Sequence, residues 1–165
     1  MADQRRRSPL EHRAVDLARI AEHTGGVVVA EEVMFLPQFD VRTDDPARAG
    51  LPLTPNTWSD NALWLGPDQW LIVGNPAPTI PGAGSVIEVS ANRAVLDLRG
   101  SGVLELLAKG CSLDLHPSRW KDGDCAQAML AKAPVILQQR SDRTRLFIRP
   151  SFGDYLVEWF LAACD

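Results

Sequence analysis

The chain has 165 residues, of which 45% are apolar and 23% charged, and its formal net charge is −4. This composition is typical of a globular protein with one compact domain, or with two small domains that share a core. The acidic balance argues against nucleic acid as a partner, because nucleic-acid binding depends on clustered basic residues, and no stretch reaches the roughly 18 apolar residues of a membrane-spanning helix.

The first 74 residues predict a tail, a helix and several extended segments. Residues 1–8 contain the basic run Arg5-Arg6-Arg7 and are expected to form a disordered tail, and residues 9–74 form an N-terminal half. A helix is predicted over residues 10–24, with Ser8 and Pro9 at its start and a Gly-Gly pair after it. The remaining predicted elements are extended segments at 27–33 and 35–42, a loop over 43–61, and two strands around a Gly-Pro-Asp turn within 62–74.

The second half of the chain has the clearer pattern. Residues 75–84 are rich in Pro and Gly and predict a linker, after which residues 85–165 form a C-terminal half. A helix is predicted over 101–110, with Ser101 as its cap and Gly110 as its stop. The predicted strands lie at 85–90, 94–100, 126–132, 134–140 and 145–149.

The last predicted helix, over residues 151–164, begins with a capping box made by Ser151 and Asp154. Its apolar side chains recur at helical spacing and are expected to anchor the core. They are Phe152, Tyr155, Leu156, Trp159, Phe160 and Ala163.

Interleaved strands, hairpins and helices favour an α+β fold. We expect a mostly antiparallel sheet with helices packed on it, including split β-α-β (ferredoxin-like) elements. The chain has three cysteines and no C-x-x-C pair, which favours a reducing compartment over a disulfide framework. The expected location is the cytoplasm.

The stretch K-G-C-S-L-D-L-H-P at residues 109–117 places Cys111, Asp114 and His116 close together in sequence. A thiol nucleophile is not favoured here, because Cys111 follows a predicted helix C-terminus, whose negative dipole disfavours a thiolate. The interpretation that we favour is structural, with Cys111, Leu113 and Leu115 packing the loop onto the core. The spacing to Cys125 matches no zinc pattern.

No nucleotide-binding loop or nucleophile elbow is present in the sequence, and no pair of acidic residues is placed for acid–base chemistry. We therefore predict no catalytic, cofactor-binding or metal-binding residue. Trp58, Trp64 and Trp70 lie close together in sequence and could line a ligand pocket or a partner interface; the sequence leaves both possibilities open. This lack of a visible active site favours a binding or accessory role.

Six motifs distributed along the chain form a recognisable set. They are S-P-L-E-H, L-P-L-T-P-N-T, A-L-W-L-G-P-D-Q-W-L-I-V, K-G-C-S-L-D-L-H-P, C-A-Q-A-M-L-A-K-A-P-V and R-P-S-F-G-D-Y-L. These motifs closely resemble the gamma subunit family of heterotetrameric sarcosine oxidase, and they occur in the family's order from about Ser8 to Trp159. The second half of the chain is also similar, more faintly, to the folate-binding aminomethyltransferase of glycine cleavage.

The resemblance implies a non-catalytic subunit in a complex with alpha, beta and delta subunits. That complex oxidises sarcosine to glycine, with hydrogen peroxide and either formaldehyde or methylene-tetrahydrofolate as further products. FAD, FMN, NAD and zinc are expected in the partner subunits, tetrahydrofolate is expected as a co-substrate, and this chain is expected to stabilise the complex beside the folate-handling part of alpha.

The expected partner-interface residues lie in the tryptophan-rich region and in the loop that follows the predicted helix at 101–110. They are Trp58, Trp64, Trp70, Leu113, His116 and Trp120. The alternative function is a free-standing folate-binding or one-carbon transfer protein of the aminomethyltransferase type.

Overall fold

The computed structural model describes residues 7–164. The predicted tail, apart from Arg7 and Ser8, lies outside the described residues. The helices are α1 (Ala14–His23), α2 (Val103–Ala108) and α3 (Gly153–Cys164), with short 3-10 turns at Glu11–Arg13, Ser90–Asn92 and Pro150–Phe152. The strands are β1 (Val29–Glu32), β2 (Gln38–Thr43), β3 (Trp58–Ser59), β4 (Ala62–Gly66), β5 (Gln69–Val73), β6 (Gly84–Glu88), β7 (Ala94–Arg99), β8 (Cys125–Leu130), β9 (Ala133–Arg140) and β10 (Arg143–Ile148).

These strands form two five-stranded sheets in which every neighbouring pair is antiparallel. The first sheet has the order β1-β7-β10-β9-β8, and the second has the order β3-β4-β5-β2-β6. The predicted α+β class with mostly antiparallel sheet is confirmed. No helix within residues 7–164 is long and apolar enough to cross a membrane.

The layers follow from the alternation of side chains along the strands. One face of the first sheet packs against all three helices, through residues such as Leu96, Leu137 and Phe160. The opposite face packs against the second sheet, where Phe147 of the first sheet joins Leu71 of the second. A smaller cluster covers the outer face of the second sheet.

Each sheet contains strands from both sides of the predicted linker at 75–84. Strand β1 pairs with β7 in the first sheet, and β6 pairs with β2 in the second. Residues 74–83 therefore join β5 to β6 inside the second sheet. The division into two halves at this segment stays a prediction.

Helix starts are the main local errors of the sequence predictions. Helix α1 begins at Ala14, after a 3-10 turn, and Ser8 does not cap it, because its hydroxyl donates to the Glu32 carboxylate. Helix α2 is preceded by Gly102, with no side-chain cap bond, so the assignment of Ser101 as its cap is wrong. At the start of α3, the Asp154 carboxylate lies 2.7 Å from His12 Nε2 on the neighbouring N-terminal segment.

The extended and apolar predictions need smaller corrections. The segment predicted to be extended over 35–42 pairs only from Gln38 onward, because Phe35 has a φ of 58° and Pro37 has no N–H to donate. The predicted loop over 43–61 contains the two-residue strand β3. In α3, Leu156 and Phe160 are fully buried, whereas Tyr155 and Trp159 pack on the core and are only half-buried.

Candidate functional site

The loop at 109–117 is shaped by its own hydrogen bonds. Asp114 accepts a bond from the backbone N–H of His116 (3.1 Å), and His116 Nδ1 lies 2.8 Å from Ser118 Oγ. His116 is exposed, whereas Cys111 and Leu115 are buried in the helix-side core and Leu113 packs against it. The structural interpretation of this loop is confirmed, since Cys111 and Leu115 lie in the core and Leu113 packs against it.

Two of the predicted interface tryptophans lie inside the chain itself. Trp70 is 1% exposed and donates from Nε1 to the carbonyl of Pro52 (2.9 Å), in the cluster on the outer face of the second sheet. Trp120 is 8% exposed and donates from Nε1 to the side chain of Gln139 (2.9 Å). Both indoles therefore shape the protein from within.

The other two predicted tryptophans are half-buried. Trp58 donates from Nε1 to the backbone carbonyl of Gln139 (2.7 Å), and the Arg140 guanidinium lies 4.5 Å from its ring centroid. Trp64 on β4 is the cross-strand partner of Trp70 on β5.

Gln139 brings together two residues that are distant in sequence, Trp58 and Trp120. Its backbone carbonyl binds the first indole and its side-chain oxygen binds the second. The backbone N–H of Trp120 donates in turn to the carbonyl of His116 (2.9 Å). We call Trp58, Arg140, Trp120 and His116 the tryptophan surface. The sequence predicted three of its residues but carried no signal for Gln139 or Arg140.

A buried carboxylate organises the basic residues on the face of the first sheet that is turned toward the second. Asp97 is 2% exposed and accepts two bonds from Arg145 (2.7 and 2.9 Å) and one from Arg143 (3.0 Å). Burial alone raises the pKa of Asp97, but the hydrogen bonds and charges of Arg145 and Arg143 outweigh it and hold the pKa below its usual value. This network is an internal ion cluster, which fixes β7 to β10.

No group of three or more His, Cys, Asp or Glu side chains placed to hold a metal ion occurs among residues 7–164. Cys111 and Cys125 are buried free thiols. Burial raises the pKa of Cys125 to about 12; the Asp124 charge adds to this increase, and the backbone contact with Trp64 opposes it. Because so little thiolate forms at neutral pH, this cysteine is a core side chain and not a nucleophile.

A broad, open groove lies between α1 and the edge strand β1, with a volume of about 640 Å³. Its lining is mainly apolar and includes Leu17, Ala18 and Ala30, together with the acidic residues Glu11 and Glu31. Among the described strands, β1 pairs with β7 alone, so its other edge has no neighbouring strand. The apolar residues at helical spacing predicted the helix that lines this groove but carried no signal for the groove itself.

Comparison with known proteins gives one consistent result. A family described as "Sarcosine oxidase, gamma subunit family" matches residues 82–165. The chain is 33% identical to the sarcosine oxidase subunit gamma of Corynebacterium sp. (strain U-96), over 97% of this chain and 90% of that protein. It is 32% identical to the subunit of the same name from Arthrobacter sp, over 96% and 89% of the two chains.

The structural comparisons give two useful matches. One chain of the heterotetrameric sarcosine oxidase from Corynebacterium sp. U-96, solved in complex with pyrrole 2-carboxylate, superposes with a TM-score of 0.86 and 31% identity, over 98% of this chain and 95% of that one. The glycine cleavage system aminomethyltransferase T from Bartonella henselae superposes with a TM-score of 0.60 over 88% of this chain and 48% of that one. At 12% identity, the second match shows a shared fold and nothing more.

Proposed function

Because the chain belongs to the sarcosine oxidase gamma subunit family, we propose that it is the gamma subunit of a heterotetrameric sarcosine oxidase and takes no catalytic part in the reaction. The observation that carries this proposal is the end-to-end match, with a TM-score of 0.86, to a chain that was solved within such a complex. A chain of the same fold, nearly the same length and 31% identity is expected to occupy the same place in an assembly.

The partners proposed for this chain are the alpha, beta and delta subunits. The complex would oxidise sarcosine to glycine, with FAD, FMN, NAD and zinc held by the partner subunits and tetrahydrofolate taking up the methylene group. The chain would stabilise the complex beside the folate-handling part of alpha.

We assign the contact with alpha to the tryptophan surface and its surroundings. Trp58 and Trp64 are half-buried, and His116 is exposed, so all three have atoms available to a partner. Leu113 packs partly against the core and can extend the contact. Trp120 is the buried member of the tryptophan surface, and Trp70, also buried, packs with Trp64 in the cluster on the outer face of the second sheet. Aromatic and Arg side chains are enriched in the centres of such interfaces, which suits Trp58 and Arg140.

Co-expression tests the proposed function. The affinity-tagged chain is expressed with and without the genes adjacent to its own, and the eluate is analysed by size-exclusion chromatography and absorbance spectroscopy. The expected result is co-elution with larger, yellow, flavin-bearing chains. A colourless chain that elutes alone in both cases and binds tetrahydrofolate by calorimetry would instead support the alternative, a free-standing folate-binding protein.

Two variants test the proposed interface within this experiment. His116→Glu places a carboxylate on the tryptophan surface, and Val15→Glu places one on α1, where Val15 is 75% exposed. Both changes are at exposed positions, so both chains should fold. We expect His116→Glu to reduce recovery of the complex and Val15→Glu to leave it unchanged; the opposite pattern would move the interface to α1.

A further inference from the structure

We propose that Arg93 and Arg149 form a binding site for a single carboxylate group, at the end of the first sheet and on its face toward the second sheet. The inference goes beyond the proposed function and rests on the geometry of the chain itself. The carboxylate could belong to a partner subunit or to a small molecule, and the two sources give different results in one experiment.

The two arginines face each other across neighbouring strands. Ala94 of β7 pairs with Ile148 of β10, and this is the last pair of the two strands. Arg93 and Arg149 are the next residues and therefore stand opposite each other just beyond that pair. Both have extended backbone conformations, with φ and ψ of −141° and 132° for Arg93 and −60° and 131° for Arg149. Side chains alternate along a strand, so both leave the sheet on the side of Val95 and Phe147.

Like charges directly opposite each other destabilise a sheet. Burial lowers the pKa of Arg93, and the charge of Arg149 lowers it further, while the charge of Asp40 opposes both. Among residues 7–164, no carboxylate oxygen lies within salt-bridge distance of either guanidinium. The chain therefore brings together two positive groups without a carboxylate in direct contact, such as Asp97 provides for Arg143 and Arg145.

Arg93 is held in place from the second sheet. The Gln38 side chain, which is 1% exposed, donates from Nε2 to the backbone carbonyl of Arg93 at 3.1 Å. This bond fixes the backbone from which the guanidinium projects. A fixed backbone reduces the ordering cost when an anion binds, since less freedom remains to be lost.

A cavity of about 180 Å³ is lined by both arginines. This volume is below the roughly 300–1,000 Å³ of typical ligand pockets, so it suits one carboxylate-bearing group and not a whole cofactor. Its other walls include Phe147, Ile136 and Pro134, which offer apolar surface to a methylene stem, and Gln127, whose amide is held by the Leu65 carbonyl at 2.8 Å. Two planar guanidinium forks with an apolar wall match the shape of a Glu-like side chain or a small dicarboxylate.

The test uses the four-chain complex obtained by co-expression, with Arg149→Gln, Arg149→Lys and Arg93→Gln variants. Arg48→Gln is the control, because Arg48 is exposed and does not line the cavity. Dissociation of the complex is measured by mass photometry at several salt concentrations, and glutarate binding is measured by calorimetry. Thermal melts confirm that each variant is folded.

If a partner subunit supplies the carboxylate, Arg149→Gln and Arg93→Gln should weaken association by at least about tenfold, with a reduced salt dependence. Arg149→Lys should recover part of the affinity, and Arg48→Gln should have no effect. If a small molecule supplies it, association should be unchanged, and glutarate should bind the wild-type complex but not the Gln variants. Both results support the site.

Unchanged association together with equal or absent glutarate binding in all variants would overturn the proposal. This negative result differs from failure of the proposed function, in which no complex would form at all. If the chain forms no complex with its neighbours, the glutarate titration is carried out on the full-length chain alone, where an accessible site should bind the probe and the Arg149→Gln variant should not.

Discussion

Replacement of Gly110 by alanine tests why a glycine stands at the start of the K-G-C-S-L-D-L-H-P loop. The sequence predicted a helix stop, which usually requires a left-handed glycine, but Gly110 is not among the glycines with positive φ. The structure gives a different reason. A Cβ at this position would lie 2.5 Å from Trp159 Cζ2, 3.0 Å from Trp159 Cη2 and 3.2 Å from the backbone nitrogen of Ala131.

The expected magnitude follows from these distances. Ordinary contact with a Cβ begins at 3.4 Å, so the Trp159 ring would have to move by about 1 Å, or the loop would have to shift. Overpacking of this kind costs about 1–3 kcal/mol. The loss of backbone freedom in the unfolded chain offsets about 0.4–1 kcal/mol of that cost. The net expectation for Gly110→Ala is a loss of about 1–2 kcal/mol in the free energy of unfolding.

Gly66→Ala is the matched control, because Gly66 also lacks a positive φ and a Cβ added there would lie 3.8 Å from its nearest neighbour, Gln69 Cβ. This substitution should leave stability unchanged or raise it by up to about 1 kcal/mol. Urea unfolding of the full-length chain, followed by far-UV circular dichroism, measures both variants.

A double-mutant cycle with Trp159→Phe identifies the clash. Phenylalanine lacks the two ring atoms that the new methyl group would meet, so Gly110→Ala should cost little in that background. An equal cost of Gly110→Ala with Trp159 and with Phe at position 159 would refute the reasoning, as would a loss at Gly66 as large as that at Gly110.

Three further predictions concern other parts of the core. Leu115→Ala should lower the free energy of unfolding, measured in urea, by about 2–5 kcal/mol, because Leu115 is buried. His116→Ala, at an exposed position, should lower it by less than about 1 kcal/mol. Similar losses for the two variants would contradict the packing role of Leu115. The pKa of Asp97 is lower in the folded chain than in the unfolded chain. The ionised carboxylate therefore stabilises the fold above the unfolded pKa of about 4, and this stabilisation is lost as the pH falls from there through the folded pKa. Thermal melts should therefore show a smaller loss below about pH 4 for Asp97→Asn than for the wild type, and parallel losses would exclude this role. Because burial raises the pKa of Cys125 to about 12, iodoacetamide at neutral pH should modify it only after unfolding, as read by peptide mass spectrometry, and rapid labelling of the native chain would contradict its burial.

The candidate site shows which contacts the sequence could not predict. The sequence predicts that Cys111, Leu113 and Leu115 pack the loop at 109–117 onto the core, and this is confirmed because burial there alternates over a few consecutive positions; the turn held by Asp114 is visible only in the structure. Trp58 and Trp120 were each predicted as interface residues, but their meeting at Gln139 depends on contacts across 81 and 19 residues. The facing arginines at 93 and 149 were missed for the same reason, since neither has a local motif.

The kinds of element and their order follow from the amino-acid pattern of the chain. Periodic apolar residues are enough to predict α3, the β9–β10 hairpin and the α+β class, because helical or alternating burial is a property of consecutive residues. Which sheet each strand joins emerges only in the packed fold, where β1 crosses to the sheet of β7 and β6 to that of β2. The same holds for the contact that requires glycine at 110 and for the meeting of Arg93 with Arg149. These outcomes depend on contacts between distant segments, whose energies appear only when the layers pack.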